Sequence, residues 1–325
     1  MSIGPILNNM NQLIEITNIN NFSSKLQNFI TSFKTKKNLA LLTDFDFTIT
    51  KLYNYQKNKT LGSSYRFYDE GLIGGDQQKI TKAQDDLCKK YINYERDTSI
   101  DIKIREEKMH EFYSKSLDIY INPKFTRDSI GKMLEKLKDK FEIRKYLKEY
   151  FELLIELEVP IIIISGGIKE VIIDLLKQSI KDFELYCIQK KIVIIANELI
   201  FDKEKGCIGY SPDVIYTFNK SYFVKKIIEK DFPQIENYLI FGDHLNDYDS
   251  VQDLNLSQEH IIGFGFINIK PEYIEDESKK KEIAKNIEDY KKVYDVNLIG
   301  DTDFLFMLKI MEIFKQKLNN GLKPQ

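Results

Sequence analysis

Leu39-Ala40-Leu41-Leu42-Thr43-Asp44-Phe45-Asp46-Phe47-Thr48 decides how this chain of 325 residues is read. The apolar run at its start has the length and composition of a short strand buried on both faces. Asp44 then stands at the strand's carboxyl end, where open α/β sheets bind their ligands. A loop leaving that strand can turn Asp44 and Asp46 into one small space. Unpaired carboxylates repel there, so the pattern calls for a metal ion, a shared proton or both. A DxD at a loop is more often a turn or a helix cap, and the rest of the chain must separate these readings.

Working outward, short runs rich in Ile, Val and Leu recur at 39–43, 159–164, 191–195, 237–242, 260–264 and 293–299, most of them separated by amphipathic segments. Continuous apolar runs alternating with helices predict an α/β fold with a mainly parallel sheet covered on both faces. The gap between the first two runs is far longer than one crossover helix needs. Within it, 76–93, 101–118 and 126–157 carry apolar residues at three- and four-residue spacing. We therefore expect a helical insertion over the carboxyl ends of the strands, where a lid can exclude water; a helical subdomain packed to one side has the same periodicity. The expected division is an N-terminal extension at 1–38, a core from 39–53 and 146–325, and a helical cap at 54–145. Residues 1–38 are Asn-rich and suggest no more than one or two short helices.

Three later segments complement the acid pair. Ile161-Ile162-Ile163-Ile164-Ser165-Gly166-Gly167 places a hydroxyl at a strand end, with glycines that let backbone N–H groups approach an anion before a helix. Phe218-Asn219-Lys220 puts an ammonium group at a helix start between two strands, where it can bind phosphate and offset carboxylate repulsion. Leu239-Ile240-Phe241-Gly242-Asp243-His244-Leu245-Asn246-Asp247 places an acid at a strand end and another four residues on, a hard-cation pattern of the kind Mg²⁺ uses. Asp247 would orient Lys220 or a metal-bound water. Each segment has a bland reading as a turn, a solvated lysine or a loop. His244 reads as a solvent-facing loop residue, and a Ser165–His244–Asp triad would leave the acid pair and Lys220 without purpose. No HExxH, Walker loop, CxxC or GxSxG is present.

Composition narrows the classes further. Forty-eight basic and fifty acidic residues give a net charge of -2, which offers no general attraction to nucleic acid. Cys88, Cys187 and Cys207 lack paired spacing and fit a reducing compartment without a zinc site. The longest apolar run is too short to span a bilayer, and no signal peptide is recognised at the start. A cytoplasmic protein without a membrane or nucleic-acid partner is the expectation, with a monomer as the default.

Taken in order, DFDFT, IIIISGG, FNK and FGDHLND resemble the four motifs of the haloacid dehalogenase (HAD) superfamily of phosphotransferases. Tyr91-Ile92-Asn93-Tyr94-Glu95-Arg96-Asp97, Glu106-Glu107-Lys108, Phe112-Tyr113-Ser114-Lys115-Ser116, Ala196-Asn197-Glu198-Leu199-Ile200-Phe201-Asp202 and Ile215-Tyr216-Thr217-Phe218-Asn219-Lys220 are similar to the cytosolic 5′-nucleotidase III family. The resemblance runs with gaps from about Leu39 to the C-terminus. It implies a HAD-like three-layer core with an inserted helical cap, and Mg²⁺-dependent hydrolysis of nucleoside 5′-monophosphates such as CMP, UMP or 7-methyl-GMP. It implies Asp44 as nucleophile, Asp46 as acid–base, and phosphate held by Ser165, Gly166 and Lys220. Mg²⁺ would be held by Asp44, the main-chain carbonyl of Asp46 and Asp243, with Thr48 and Asp247 supporting. Glu95 would read the base and Ser116 would position the nucleotide. The chain departs from the family at Leu61–Asp69, which lacks the usual Cys and His, and at Leu117, where Lys-Ser-His is expected. It has no Trp, leaving Phe67, Phe112 and Tyr113 as candidate aromatic partners for the base. A phosphoserine-phosphatase-like hydrolase and a catalytically silent nucleotide-binding protein are the alternatives.

Overall fold

The computed structural model describes residues 13–67, 77–121, 124–300 and 302–320. In chain order its elements are β1 (Leu13–Ile16), α1 (Ile19–Lys36), β2 (Leu39–Thr43), β3 (Tyr53–Asn54), β4 (Lys59–Thr60), α2 (Gln77–Arg96), α3 (Ile102–Asp118), α4 (Arg127–Lys136), α5 (Leu147–Glu156), β5 (Ile161–Ile168), α6 (Lys169–Ser179), α7 (Phe183–Ile188), β6 (Ile192–Asn197), β7 (Leu199–Asp202), β8 (Gly206–Tyr210), α8 (Lys220–Asp231), β9 (Asn237–Gly242), α9 (Leu245–Tyr248), β10 (Ile261–Ile267), α10 (Pro271–Glu275), α11 (Glu277–Val293), β11 (Val296–Ile299) and α12 (Leu305–Asn320).

Seven strands form one sheet in the order β1-β11-β10-β9-β2-β5-β6, and all neighbours are parallel except β1 on β11. Strand periodicity sorts alternate side chains into two cores. Leu39, Leu41, Ile161, Ile163, Leu239 and Phe241 join one, with α1, α5, α6 and α12 packed over them. Ala40, Leu42, Ile162, Ile164, Tyr238 and Ile240 join the other, with Val224 and Ile228 of α8 and Tyr290 of α11. Both faces are covered, which is why these strands read as unbroken apolar runs. The α/β class is as expected.

Residues set apart as an N-terminal extension contribute to the same core. β1 completes the sheet edge, and α1 buries Phe22, Leu26, Phe29, Ile30 and Phe33 at helical spacing. Lys25 of α1 reaches Asp295 at 2.7 Å, both nearly buried. The continuous helix expected over 126–157 is two helices, α4 and α5. Between them Ile143 bridges Thr50 and Tyr146 adopts a left-handed φ of 62°, which no helix interior tolerates. The hairpin β7–β8 is a further element absent from the sequence reading. Among the described residues no helix is long and apolar enough to cross a membrane.

Candidate active site

Strand register brings the acidic motifs to one edge. Thr43 of β2 lies opposite Ile163 of β5 and Phe241 of β9, so Asp44 and Asp243 leave adjacent strands at their carboxyl ends. Ser165, read as a strand end, instead lies within β5, which is irregular between Ile164 and Ile168 and runs on to Ile168. Asp44 N–H still donates to the Phe241 carbonyl at 2.9 Å. The chain then turns sharply, with the N–H groups of Ile49 and Thr50 both donating to the Phe45 carbonyl. Phe47 sits at the turn's apex with φ of 63°, a region that a bulky residue enters only when its surroundings force it. Here the force comes from Arg144 Nη2 and Asn268 Nδ2, each donating to the Phe47 carbonyl at 2.9 Å. Arg144, 2% exposed, also donates to the carbonyls of Thr48 at 2.9 Å and Thr302 at 2.7 Å. The guanidinium therefore fixes the backbone that presents both acids.

Asp44 and Asp46 face different partners. Lys220 Nζ lies 2.6 Å from Asp44 Oδ1 and 2.7 Å from Asp247 Oδ1, and all three side chains are buried. Burial raises the Asp44 pKa to about 7, and Asp247 adds to the rise while Lys220 opposes it. Burial also works against the Lys220 charge, yet Asp247 and Asp44 together overcome it and hold its pKa above the ordinary lysine value. Asp247 is held in turn by the His244 N–H, which donates to Oδ2 at 2.9 Å. It packs so tightly on Gly242 that a Cβ there would stand 2.2 Å from its own Cβ, so only glycine fits. Asp46 Oδ1 and Oδ2 instead accept from Ser64 N–H and Oγ–H, each at 2.7 Å. Burial raises the Asp46 pKa, and the two bonds from Ser64 partly offset it.

Carboxylate oxygens of Asp44, Asp243 and Asp247 all lie within 4.8 Å of one another. Burial, then the charges of Asp44 and Asp247, push the Asp243 pKa well above its ordinary value. Three crowded acids around one lysine fit a divalent cation, since oxygen donors and net negative charge are what such an ion selects. The carboxylate of Asp46, turned to Ser64, is not part of this group.

Next to it, buried Ser165 accepts from the Gly167 N–H at 3.0 Å. Asn197 Nδ2 donates to the carbonyls of Gly166 at 2.8 Å and Ile215 at 2.9 Å, and its Oδ1 accepts from the Ile215 N–H at 2.8 Å. One side chain thus ties the irregular Ser-Gly-Gly stretch of β5 to the segment leading into Lys220. Thr48 is fully buried, and its Oγ1 finds no protein partner among the described residues.

The helices α2 and α3 pack on each other and meet these loops. A Cβ on Gly166 would lie 2.7 Å from the Tyr113 ring, so the absence of a side chain lets α3 approach the turn. Glu95 Oε1 accepts from Thr217 Oγ1 at 2.6 Å. Arg105 donates to the carbonyls of Tyr94 at 2.9 Å and Glu95 at 2.7 Å, and its guanidinium stacks 4.7 Å from the centroid of Phe218. Glu95 and Arg105 line a cleft of about 570 Å³ together with Asp243, His244 and Tyr273, a volume suited to a small-molecule ligand. His244 Nδ1 accepts from the Asn246 N–H at 3.3 Å and caps the turn into α9. Ser116 is fully buried and faces the Tyr65 phenol, and neither group completes a well-aligned hydrogen bond. Phe112 and Tyr113 belong to an aromatic cluster with Tyr65 and Tyr91. Phe67 is fully buried against Phe141, in the main core and apart from that cluster. Of the departing stretch Leu61–Asp69, Tyr68 and Asp69 lie outside the described residues.

Sequence reading gave no role to Ser64, Arg144, Asn197, Arg105 or Thr217. Ser64 follows Asp46 by eighteen positions in a stretch without periodicity, and the others act on backbone or on partners remote in sequence.

Comparison with known proteins gives a consistent picture. The sequence model of the pyrimidine 5′-nucleotidase (UMPH-1) family matches residues 47–315. The 7-methylguanosine phosphate-specific 5′-nucleotidase A of Xenopus laevis is 25% identical over 249 residues, covering 74% of this chain and 80% of its own. The Homo sapiens 7-methylguanosine phosphate-specific 5′-nucleotidase is 25% identical over 240 residues, covering 72% and 74%. The crystal structure of cytosolic 5′-nucleotidase IIIB bound to cytidine shares the fold, with a TM-score of 0.76 over 98% of this chain and 97% of that one, at 19% identity.

Proposed function

The chain belongs to the pyrimidine 5′-nucleotidase family, and from that premise we propose that it hydrolyses nucleoside 5′-monophosphates to nucleoside and phosphate in the cytoplasm, with Mg²⁺ as cofactor. The observation that carries this reading is the division of labour at the end of β2: Asp44 lies against Lys220 in the acidic cluster, while Asp46 is held apart by Ser64.

Asp44 attacks the 5′-phosphorus, the ester bond to the nucleoside oxygen breaks, and an aspartyl-phosphate forms. Asp46, whose pKa is raised by burial, delivers its proton to the leaving oxygen. As a carboxylate it then takes a proton from water, which attacks the intermediate and returns Asp44. Ser165, the Gly166 turn and Lys220 hold the non-bridging oxygens while charge redistributes. Asp44, Asp243 and the main-chain carbonyl of Asp46 would hold Mg²⁺, with Asp247 beside them, and the ion supplies positive charge against carboxylate–phosphate repulsion. The helical insertion acts as a cap: Glu95 meets the base, while Ser116, expected to position the nucleotide, is fully buried and has no exposed surface to offer it. Three cysteines without paired spacing, Cys88, Cys187 and Cys207, suit the cytoplasmic setting.

The test is phosphate release from a panel of pyrimidine, purine and 7-methylguanosine monophosphates beside phosphoserine, with wild type and Asp44→Asn. Wild type should turn over nucleotides in preference to phosphoserine, and Asp44→Asn should lose at least a thousandfold in kcat. Near-full Mg²⁺-dependent turnover by Asp44→Asn would remove the nucleophile assignment, and preference for phosphoserine would remove the nucleotide reading.

A further inference from the structure

We propose that Thr217 sets base preference by occupying one oxygen of Glu95, biasing the site toward a base that offers a single amino donor, an aminopyrimidine, over one that offers two parallel N–H donors. The inference rests on the nucleotidase reading above and on Glu95 facing the base.

Glu95 is held from two directions. Arg105 fixes its main chain through the 2.7 Å bond to its carbonyl, and Arg105 is itself stacked on Phe218. Thr217, the neighbour of Phe218, fixes its side chain through the 2.6 Å bond to Oε1. A hydroxyl donating to a carboxylate at that distance is a strong, charge-assisted contact. An ionised carboxylate is acceptor-only and presents two oxygens. With Oε1 engaged, Oε2 remains as the open acceptor toward the cleft that Glu95 lines.

Bases differ in how they meet such a group. A guanine-type base presents its ring N1–H and exocyclic N2–H side by side, matched to both oxygens of one carboxylate. It must share Oε1 with Thr217 or displace the hydroxyl from its carboxylate in a half-buried junction, which gives up a charge-assisted bond. A cytosine-type base presents one exocyclic amino group and needs one oxygen. The Tyr113 phenol lies beside Thr217 in the same junction, so the hydroxyl has little room to turn away.

The perturbation is Thr217→Val, which keeps shape and removes the donor, beside Thr217→Ser, which keeps the donor. The readout is the ratio of kcat/KM for CMP to that for 7-methyl-GMP on one preparation, so any general loss of activity cancels. Wild type should favour CMP. Thr217→Val should shift the ratio toward 7-methyl-GMP by roughly tenfold, and Thr217→Ser should keep the wild-type ratio within about twofold. A Thr217→Val ratio unchanged from wild type, or a Thr217→Ser shift as large as that of Thr217→Val, overturns the inference while leaving the nucleotidase reading intact. Wild-type enzyme that hydrolyses neither nucleotide overturns both.

Discussion

Replacing Lys220 with methionine isolates what the buried ammonium does. Its Nζ is shared by Asp44 at 2.6 Å and Asp247 at 2.7 Å, and all three side chains are under a tenth exposed. Methionine fills similar space but leaves both carboxylates without their cation. Removing one partner from a buried ion pair costs about 3–5 kcal/mol, because the orphaned charge stays out of water. A chain of this length unfolds with an entropy of roughly 0.7 kcal/mol/K, taking about 2.1 cal/mol/K per residue, so the loss should lower Tm by about 4–7 °C. The assay is thermal unfolding in chelator and again in millimolar Mg²⁺. In chelator the full loss should appear. Added Mg²⁺ should raise the Tm of Lys220→Met by more than that of wild type, since the ion then meets acids that no ammonium already neutralises. Turnover in saturating Mg²⁺ should still fall by about 10²–10³, the usual cost of removing one donor to a developing charge. Equal stability of the two proteins in chelator, or an equal Mg²⁺ increment in both, would refute the view that Lys220 and the cation answer the same carboxylates.

Two further outcomes follow from groups beside the site. Arg144→Met should destabilise the protein by about 3 kcal/mol or more, because it orphans the buried carbonyls of Thr48 and Thr302 and takes one of two donors from that of Phe47; chemical denaturation measures this, and wild-type stability and kcat would contradict a role in bracing the acid-bearing turn. Glu170, in the first turn of α6, has its pKa raised to about 7, chiefly by burial. A carboxyl whose folded pKa exceeds its unfolded one contributes stability that is complete below the unfolded value and lost as pH rises through the folded value, here from about 4.5 to 7, to a limit of roughly 3 kcal/mol. Glu170→Gln should flatten that part of the stability–pH curve and gain on wild type toward pH 8, and parallel curves for the two proteins between pH 4 and 8 would exclude the effect.

The sheet was legible because burial on both faces leaves a one-dimensional trace: β2, β5 and β9 each carry an apolar run that gives way to a polar or glycine residue, at Thr43, Ser165 and Gly242. β1 and α1 left a weaker trace. The strand Leu13–Ile16 is half-exposed at an edge, and the buried stripe of α1 is diluted by asparagine and lysine. The break between α4 and α5 was hidden for another reason. Helical periodicity continues across it, and within the break Ile143 bridges Thr50 while Arg144 turns inward to carbonyls nearly a hundred residues earlier. Asp44, Ser165, Lys220 and Asp243 were readable for the same reason as the strands, since each abuts an apolar run or opens a helix. Ser64 and Thr217 carry no such marker, and Asn197, though it closes the apolar run of β6, has an amide with no charge to draw notice. Each makes its decisive bond to a partner far away in sequence, and a hydroxyl or amide in a loop reads the same with or without that partner.

Thr217 and Lys220 share one short segment, which under the proposed function would join base reading to phosphate chemistry. The segment is braced from the core side by Asn197 on Ile215, and internally by Asn219, which accepts from the Tyr216 N–H and donates to the Val214 carbonyl. From the cap side it is braced by Glu95 on Thr217 and Arg105 on Phe218. Cap helices and the ammonium beside Asp44 are thus connected through three or four residues of rigid backbone. If a base draws Glu95 toward itself, it loads the bond to Thr217 and, through that backbone, the position of Lys220. A ligand shifts such a junction only by its differential contacts with the two arrangements. Bases that satisfy Glu95 without breaking its bond to Thr217 therefore leave the ammonium seated, and those that break it weaken binding and phosphate stabilisation together. The base should accordingly be felt in kcat as well as in KM, the pattern expected when remote binding energy positions a reacting group.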